Sequence, residues 1–175
     1  NQFNRRDLDL SRRFGFKCLT QDKSFSSLVV SNGGQINRQA IEALDETNYI
    51  LRNCAQWTVI SWALWLQERG PQGASYDIAT VKDLASWVQR YHTGPWVHYA
   101  IAISESLVPV YENPNWNKMK NNFEQCLLLD DLVEFEMNYY VTRFIDKESY
   151  CNYQLPNGLV DEYNDRFIDS KYFCT

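Results

Sequence analysis

CAQWTVISWALWLQERG, residues 54–70, is the stretch on which the fold turns. It is apolar on almost every side, with Trp57, Trp62 and Trp65 distributed around the turn rather than along one stripe. A helix with no polar face must be surrounded by other elements, so this segment predicts the central member of a helical bundle. Its apolar core is about thirteen residues, short of the ~20 that cross a bilayer. Arg52, Asn53 and Gln56 prevent extension backwards, and Gly70-Pro71 supplies a stop. No transmembrane segment is expected.

Working outward, the neighbours carry helical periods of their own. Ala40, Ile41 and Leu44, then Leu51, Cys54 and Ala55, mark a stripe with a break near Thr47-Asn48. Thr80-Val81-Lys82-Asp83 has the spacing of a capping box, ahead of Val81, Leu84, Ala85, Val88 and His92 on one face. Thr93-Gly94-Pro95 ends that helix and starts the next, because proline suits the first helical position. Trp96, Tyr99, Ala100, Ile103 and Leu107 then form one stripe, with His98 off it. A helical region begins near Asn115 and is expected to run towards Ile145, and a last amphipathic helix carries Val160, Tyr163 and Phe167 beyond a turn at Pro156-Asn157-Gly158. FSSLVVS, residues 25–31, is β-prone and precedes Asn32-Gly33-Gly34, a turn signal, so it reads as a short strand or hairpin leg. The expected fold is mostly α: a single-domain bundle of about five to seven helices with one short strand or hairpin near the N-terminus.

The charge of this 175-residue chain is −5 overall but unevenly placed. Residues 1–30 hold six basic and three acidic side chains; the remainder holds eleven and nineteen. Residues 1–24 lack a clean period and read as a basic N-terminal arm, and residues 25–175 as an acidic, aromatic-rich helical domain. Aromatic residues make up 15% of the chain, and large amphipathic rings are enriched both in cores and at interfaces.

Chemistry is thinly signalled. The two histidines, His92 and His98, are separated by Gly94-Pro95, without the i, i+4 spacing or the His-Glu-x-x-His arrangement that directs two imidazoles at one ion, and no C-x-x-C occurs. Neither a metal nor a cofactor is expected. Cys54 and Cys126 fall on apolar stripes, where a thiol behaves as a small hydrophobe rather than a nucleophile. Asp130, Asp131 and Glu134 can share a helix face, which suits solvation better than acid–base work. The five cysteines are odd in number, and no asparagine lies in an N-x-S/T site, so reduced thiols and an intracellular setting are expected.

These features favour a non-catalytic protein-interaction or self-assembly (structural) protein over an enzyme. Arg5, Arg6, Arg12 and Arg13 would meet an acidic partner or a second copy, with Trp96 and His98 as further contacts. One alternative is a viral coat or nucleocapsid-type protein holding nucleic acid through the arm. The other is a small His/Cys-dependent hydrolase or transferase.

Overall fold

The computed structural model describes residues 5–69, 77–108 and 115–129. These residues form seven helices and, among the described residues, no strand: α1 Arg5–Leu19, α2 Lys23–Ser31, α3 Arg38–Glu42, α4 Tyr49–Arg69, α5 Ile78–Val88, α6 Pro95–Ser106 and α7 Trp116–Leu129. None is long and apolar enough to cross a membrane.

Helix α4 occupies the interior as expected, packed by α1, α5 and α6. It shares that position with α6, which is even more enclosed: every residue from Val97 to Ser106 is buried. Contacts from α4, α5 and α7 close around α6, so the polar residues on it go inside too. Ser104 and Ser106 satisfy their hydroxyls locally, donating to Ile101 O and Ile103 O at 2.8 Å each.

Glu105 needs help from outside its helix. Only 2% of its side chain is exposed, and it stands between Lys82 Nζ of α5 at 2.9 Å and Lys118 Nζ of α7 at 3.3 Å. Lys82 approaches Oε2 at an angle too bent for a hydrogen bond, so attraction of charge carries that contact. Burying a carboxylate costs several kcal/mol unless cations answer it. The two lysines answer it while remaining about one-third exposed, and they tie three helices to one point.

The N-terminal third departs from expectation. Residues 25–31, read as a strand, lie in helix α2. Asp22 caps it, accepting from Phe25 N at 2.9 Å, and Phe25, Leu28 and Val29 stand at the i, i+3, i+4 spacing that turns one face inward. Asn32-Gly33-Gly34 is the exit from this helix rather than a hairpin turn. Gly34 N donates to Val29 O and Gly33 N to Val30 O, the paired bonds of a Schellman cap. Both glycines have positive φ, 66° and 86°, which glycine adopts without steric cost.

Residues 5–19, within the stretch read as an arm, form helix α1 lying antiparallel on α4. Phe16 meets Trp62 edge-on at 4.6 Å, Arg12 lies over the Trp65 ring at 3.9 Å, and Cys18 is joined to Cys54 by a disulfide with Cα atoms 6.0 Å apart. The helices approach closely at Gly15. A Cβ there would overlap the Thr58 hydroxyl, which donates back to Cys54 O, and would come 2.9 Å from Thr58 Cβ.

The other boundaries follow local chemistry. Asn37 caps α3, Asn48 caps α4 and Asn115 caps α7, each through its side-chain oxygen. Pro95 opens α6 behind Gly94, as its position in the sequence predicts. The capping box expected at Thr80 is not used. Helix α5 begins earlier, at Ile78, and Thr80 Oγ1 donates to Ile36 O at 3.2 Å. The expected continuation of α7 towards Ile145, and the last helix with Val160, lie outside the described residues.

Substituting Gly15→Ala tests the α1–α4 approach. Alanine is the better helix former by about 1 kcal/mol, yet the clash is expected to destabilise the fold by about 1–3 kcal/mol. The urea midpoint should fall, and Thr58→Ala in the same chain should recover part of the loss.

Candidate functional site

The side chains expected to meet a partner divide into two groups. Arg5, Arg6 and Arg13 are exposed on α1, as expected of contact residues. Arg12 is not available in that way. It is enclosed among aromatic faces, 3.9 Å from the Trp65 centroid, 5.8 Å from Phe16 and 5.9 Å from Trp62. Its NH2 pairs with Asp9 Oδ1 at 2.8 Å, leaving 17% of the side chain exposed. Asp9 also takes Arg13 Nε at 2.9 Å, and its carboxyl is held below the usual carboxylate range, chiefly by the hydrogen bond from Arg12.

Trp96 and His98 stand on α6. Trp96 is half-buried, edge-on to Tyr99 at 5.8 Å. His98, expected to make an outward contact, is buried, with Nδ1 2.7 Å from Asn122 Oδ1 of α7. Its helix is enclosed on so many sides that a residue off the main stripe still points into protein. Asn122 in turn donates from Nδ2 to Lys118 O at 2.8 Å, so the pair is oriented as a structural link. His92, expected on the α5 face, lies beyond the end of that helix at Val88, with Nε2 buried and without a hydrogen-bond partner.

The thiols also resolve. Cys18 and Cys54, expected to be reduced, form the α1–α4 disulfide. Cys126 is free and fully buried, with Sγ 3.1 Å from Pro95 O. Desolvation pushes its pKa up to about 12, the wrong direction for a nucleophile. Among the described residues no group of His, Cys, Asp and Glu is arranged to hold a metal ion.

What the sequence reading missed is an apolar edge around the disulfide. Phe14 precedes Cys18 by one helical turn and Trp57 follows Cys54 by nearly one, and the antiparallel pairing brings both to the same level. Phe14 is 62% exposed and Trp57 62%, and Ile50 and Leu10, next along the two helices, are also exposed. Trp57 is the only exposed residue between Leu51 and Gln67 of α4. Beside this edge the outward face of α1 carries the exposed cations Arg13 and Lys17. Exposed large apolar side chains near charged ones are a feature of contact surfaces. The signal in the sequence was Leu10 and Phe14 one turn apart in a basic segment, legible only once that segment is known to be helical.

Comparison of the chain with known protein families, with curated proteins and with solved structures finds no match.

Two measurements check this assignment. Iodoacetamide at pH 8 should leave Cys126 unmodified in the folded chain and alkylate it in denaturant, read by peptide mass mapping. Removing both lysines, Lys82→Ala/Lys118→Ala, should cost about 3 kcal/mol in chemical denaturation, because it leaves the buried Glu105 carboxylate unanswered. Lys82→Ala or Lys118→Ala alone should cost less than about 1 kcal/mol, since the remaining lysine still answers the carboxylate.

Proposed function

We propose that the protein is a non-catalytic interaction and self-assembly protein that associates through the α1–α4 edge. The observation that carries this reading is the exposure of Phe14 and Trp57, each about one turn from the disulfide on paired antiparallel helices, with Arg13 and Lys17 exposed on the same helix as Phe14. Tryptophan and arginine anchors dominate the energetics of protein contacts, and neighbouring cations steer the encounter. The occupant is a second copy of the chain. Residues 130–175 carry ten acidic side chains against four basic, and ten aromatic residues, a composition complementary in charge and apolar character to the basic edge of α1.

The nucleic-acid alternative draws less support, because Arg12 is withdrawn into an aromatic cage and Arg13 shares Asp9. The hydrolase or transferase alternative draws less still, because His98 and Cys126 are both buried against protein partners. The Cys18–Cys54 disulfide supports work in an oxidising compartment, where such bonds persist.

Sedimentation at low and high salt tests the proposal. The wild-type chain should self-associate, less so at high salt. The double variant Phe14→Ser/Trp57→Ser should weaken association by about thirtyfold or more, on the ≥2 kcal/mol typical of an aromatic hot spot. Arg13→Glu/Lys17→Glu should remove the salt dependence. A wild-type chain that stays monomeric at every concentration, or a double variant that assembles unchanged, overturns it.

A further inference from the structure

The opposite flank of α1 presents a different feature. Phe16 lies two residues from Phe14, roughly 200° around the helix, and faces a half-open cavity of about 620 Å³. This volume lies within the range of small-molecule sites, about 300–1,000 Å³. The cavity sits where α1, α2, the Gly33-Gly34 exit and the start of α5 meet over Trp62 of α4. Phe16, Phe25 and Trp62 give it an aromatic lining, and Asp77, Thr20 and Thr80 give it polar points.

The hydrogen bonds already made along the wall narrow what it can hold. Thr20 Oγ1 already donates to Lys17 O at 2.9 Å and Thr80 Oγ1 to Ile36 O at 3.2 Å, so each hydroxyl retains lone pairs but no proton. The amides of Gly34 and Gln35 are engaged by Val29 O and Asn32 O. Asp77 can only accept. Its Oδ2 takes the Trp62 indole N–H at a long 3.3 Å, and the nearest cation, Arg12, is 3.8 Å away with its closer partner in Asp9 at 2.8 Å. Asp77 stands at the N-cap of α5 without capping it, since its side chain makes no bond to the helix amides. Among the described residues, the acceptor atoms left by these bonds are those of Asp77, Thr20 and Thr80, centred on a carboxylate whose nearest cation is 3.8 Å away.

We propose that this cavity binds a small organic ammonium ion with an aromatic body, an arylalkylammonium, its ring against the half-buried Phe16 and its N–H groups donated to Asp77 and the threonine oxygens. A charged donor meeting a carboxylate gives the stronger class of hydrogen bond, and aromatic ring faces also favour a cation. The site is separate from the association edge, so its fate does not depend on assembly.

Isothermal titration with three probes of like shape tests it: 2-phenylethylammonium, the neutral 2-phenylethanol and the anionic 3-phenylpropionate. The ammonium should bind tightest, by about tenfold or more over the alcohol, and the carboxylate weakest. Asp77→Asn should bring the ammonium down to the level of the alcohol while the alcohol is unchanged. Val29→Trp, which fills the cavity from α2, should abolish binding of both, with thermal melting confirming that each variant is folded. Binding of the carboxylate as tight as the ammonium, survival of binding in Val29→Trp, or no binding of any probe at millimolar concentration overturns the proposal.

Discussion

The close antiparallel contact between α1 and α4 is the constraint on which the rest of the molecule depends. Gly15 lets the two backbones approach until Thr58 fills the space a side chain would occupy. One turn away the Cys18–Cys54 disulfide fixes the register, removing open conformations from the unfolded chain as well as holding the folded one. On the far side Arg12 lays its guanidinium over Trp65, so a charged residue can sit in a mostly aromatic seam. With that seam set, each flank of α1 has a defined surface: Phe14 beside Trp57 on one edge, Phe16 over Trp62 on the other.

The second half of the domain is organised by a different problem, how to enclose a helix that carries His98, Ser104, Glu105 and Ser106. Local backbone acceptors handle the serines. Glu105 and His98 instead recruit residues from neighbouring helices, Lys82, Lys118 and Asn122. Those contacts make the position of α7 against α6 specific in a way that apolar packing of Met119 and Phe123 alone would not. Glu105 keeps a cation when either lysine is lost, whereas His98 has Asn122 alone as its side-chain partner among the described residues, and both arrangements tie α6 to α7. His98 and Cys126 are likewise taken up by packing, His98 against Asn122 Oδ1 and Cys126 against Pro95 O.

The helical character of residues 37–69 and 78–108 was legible from periodicity, together with the start of α6 at Pro95, because long amphipathic or all-apolar runs leave little choice of element; the end of α5 was not, since it comes at Val88, ahead of Thr93-Gly94. The β reading of residues 25–31 failed because two adjacent valines outweighed a stronger local signal, Asp22 three residues before Phe25, and because Asn-Gly-Gly serves a helix exit as well as a hairpin. Helix α1 was hidden by its own chemistry. Its buried stripe includes Arg12 and Gly15, neither of which counts as apolar in a sequence pattern, although one packs on a tryptophan and the other on a threonine. The disulfide was illegible for a related reason: an odd number of cysteines gives no pairing, and only the fold sets Cys18 against Cys54. Exposure on α1 was anticipated for Arg5, Arg6 and Arg13 but not the withdrawal of Arg12, and the burial of His98 followed from neighbours that its own helix could not reveal.

A helix that serves only to cover a core has two sectors, one apolar and buried, one polar and wet. Helix α1 has more. Leu8, Gly15 and Leu19 turn inward, Arg6, Arg13 and Lys17 outward, and between them Leu10 and Phe14 extend the apolar surface into solvent. Phe14 and Trp57, each 62% exposed, forgo part of the roughly 1.5–3 kcal/mol that full burial of a large apolar side chain supplies. Nothing in the packing of α1 on α4 requires it, since the seam is already closed by the glycine contact, the disulfide and the arginine cage. Apolar surface held on a covalently fixed helix is the kind of surface that the proposed association would use. Because the disulfide has already ordered the two helices, a partner meeting that edge loses little conformational entropy in the encounter.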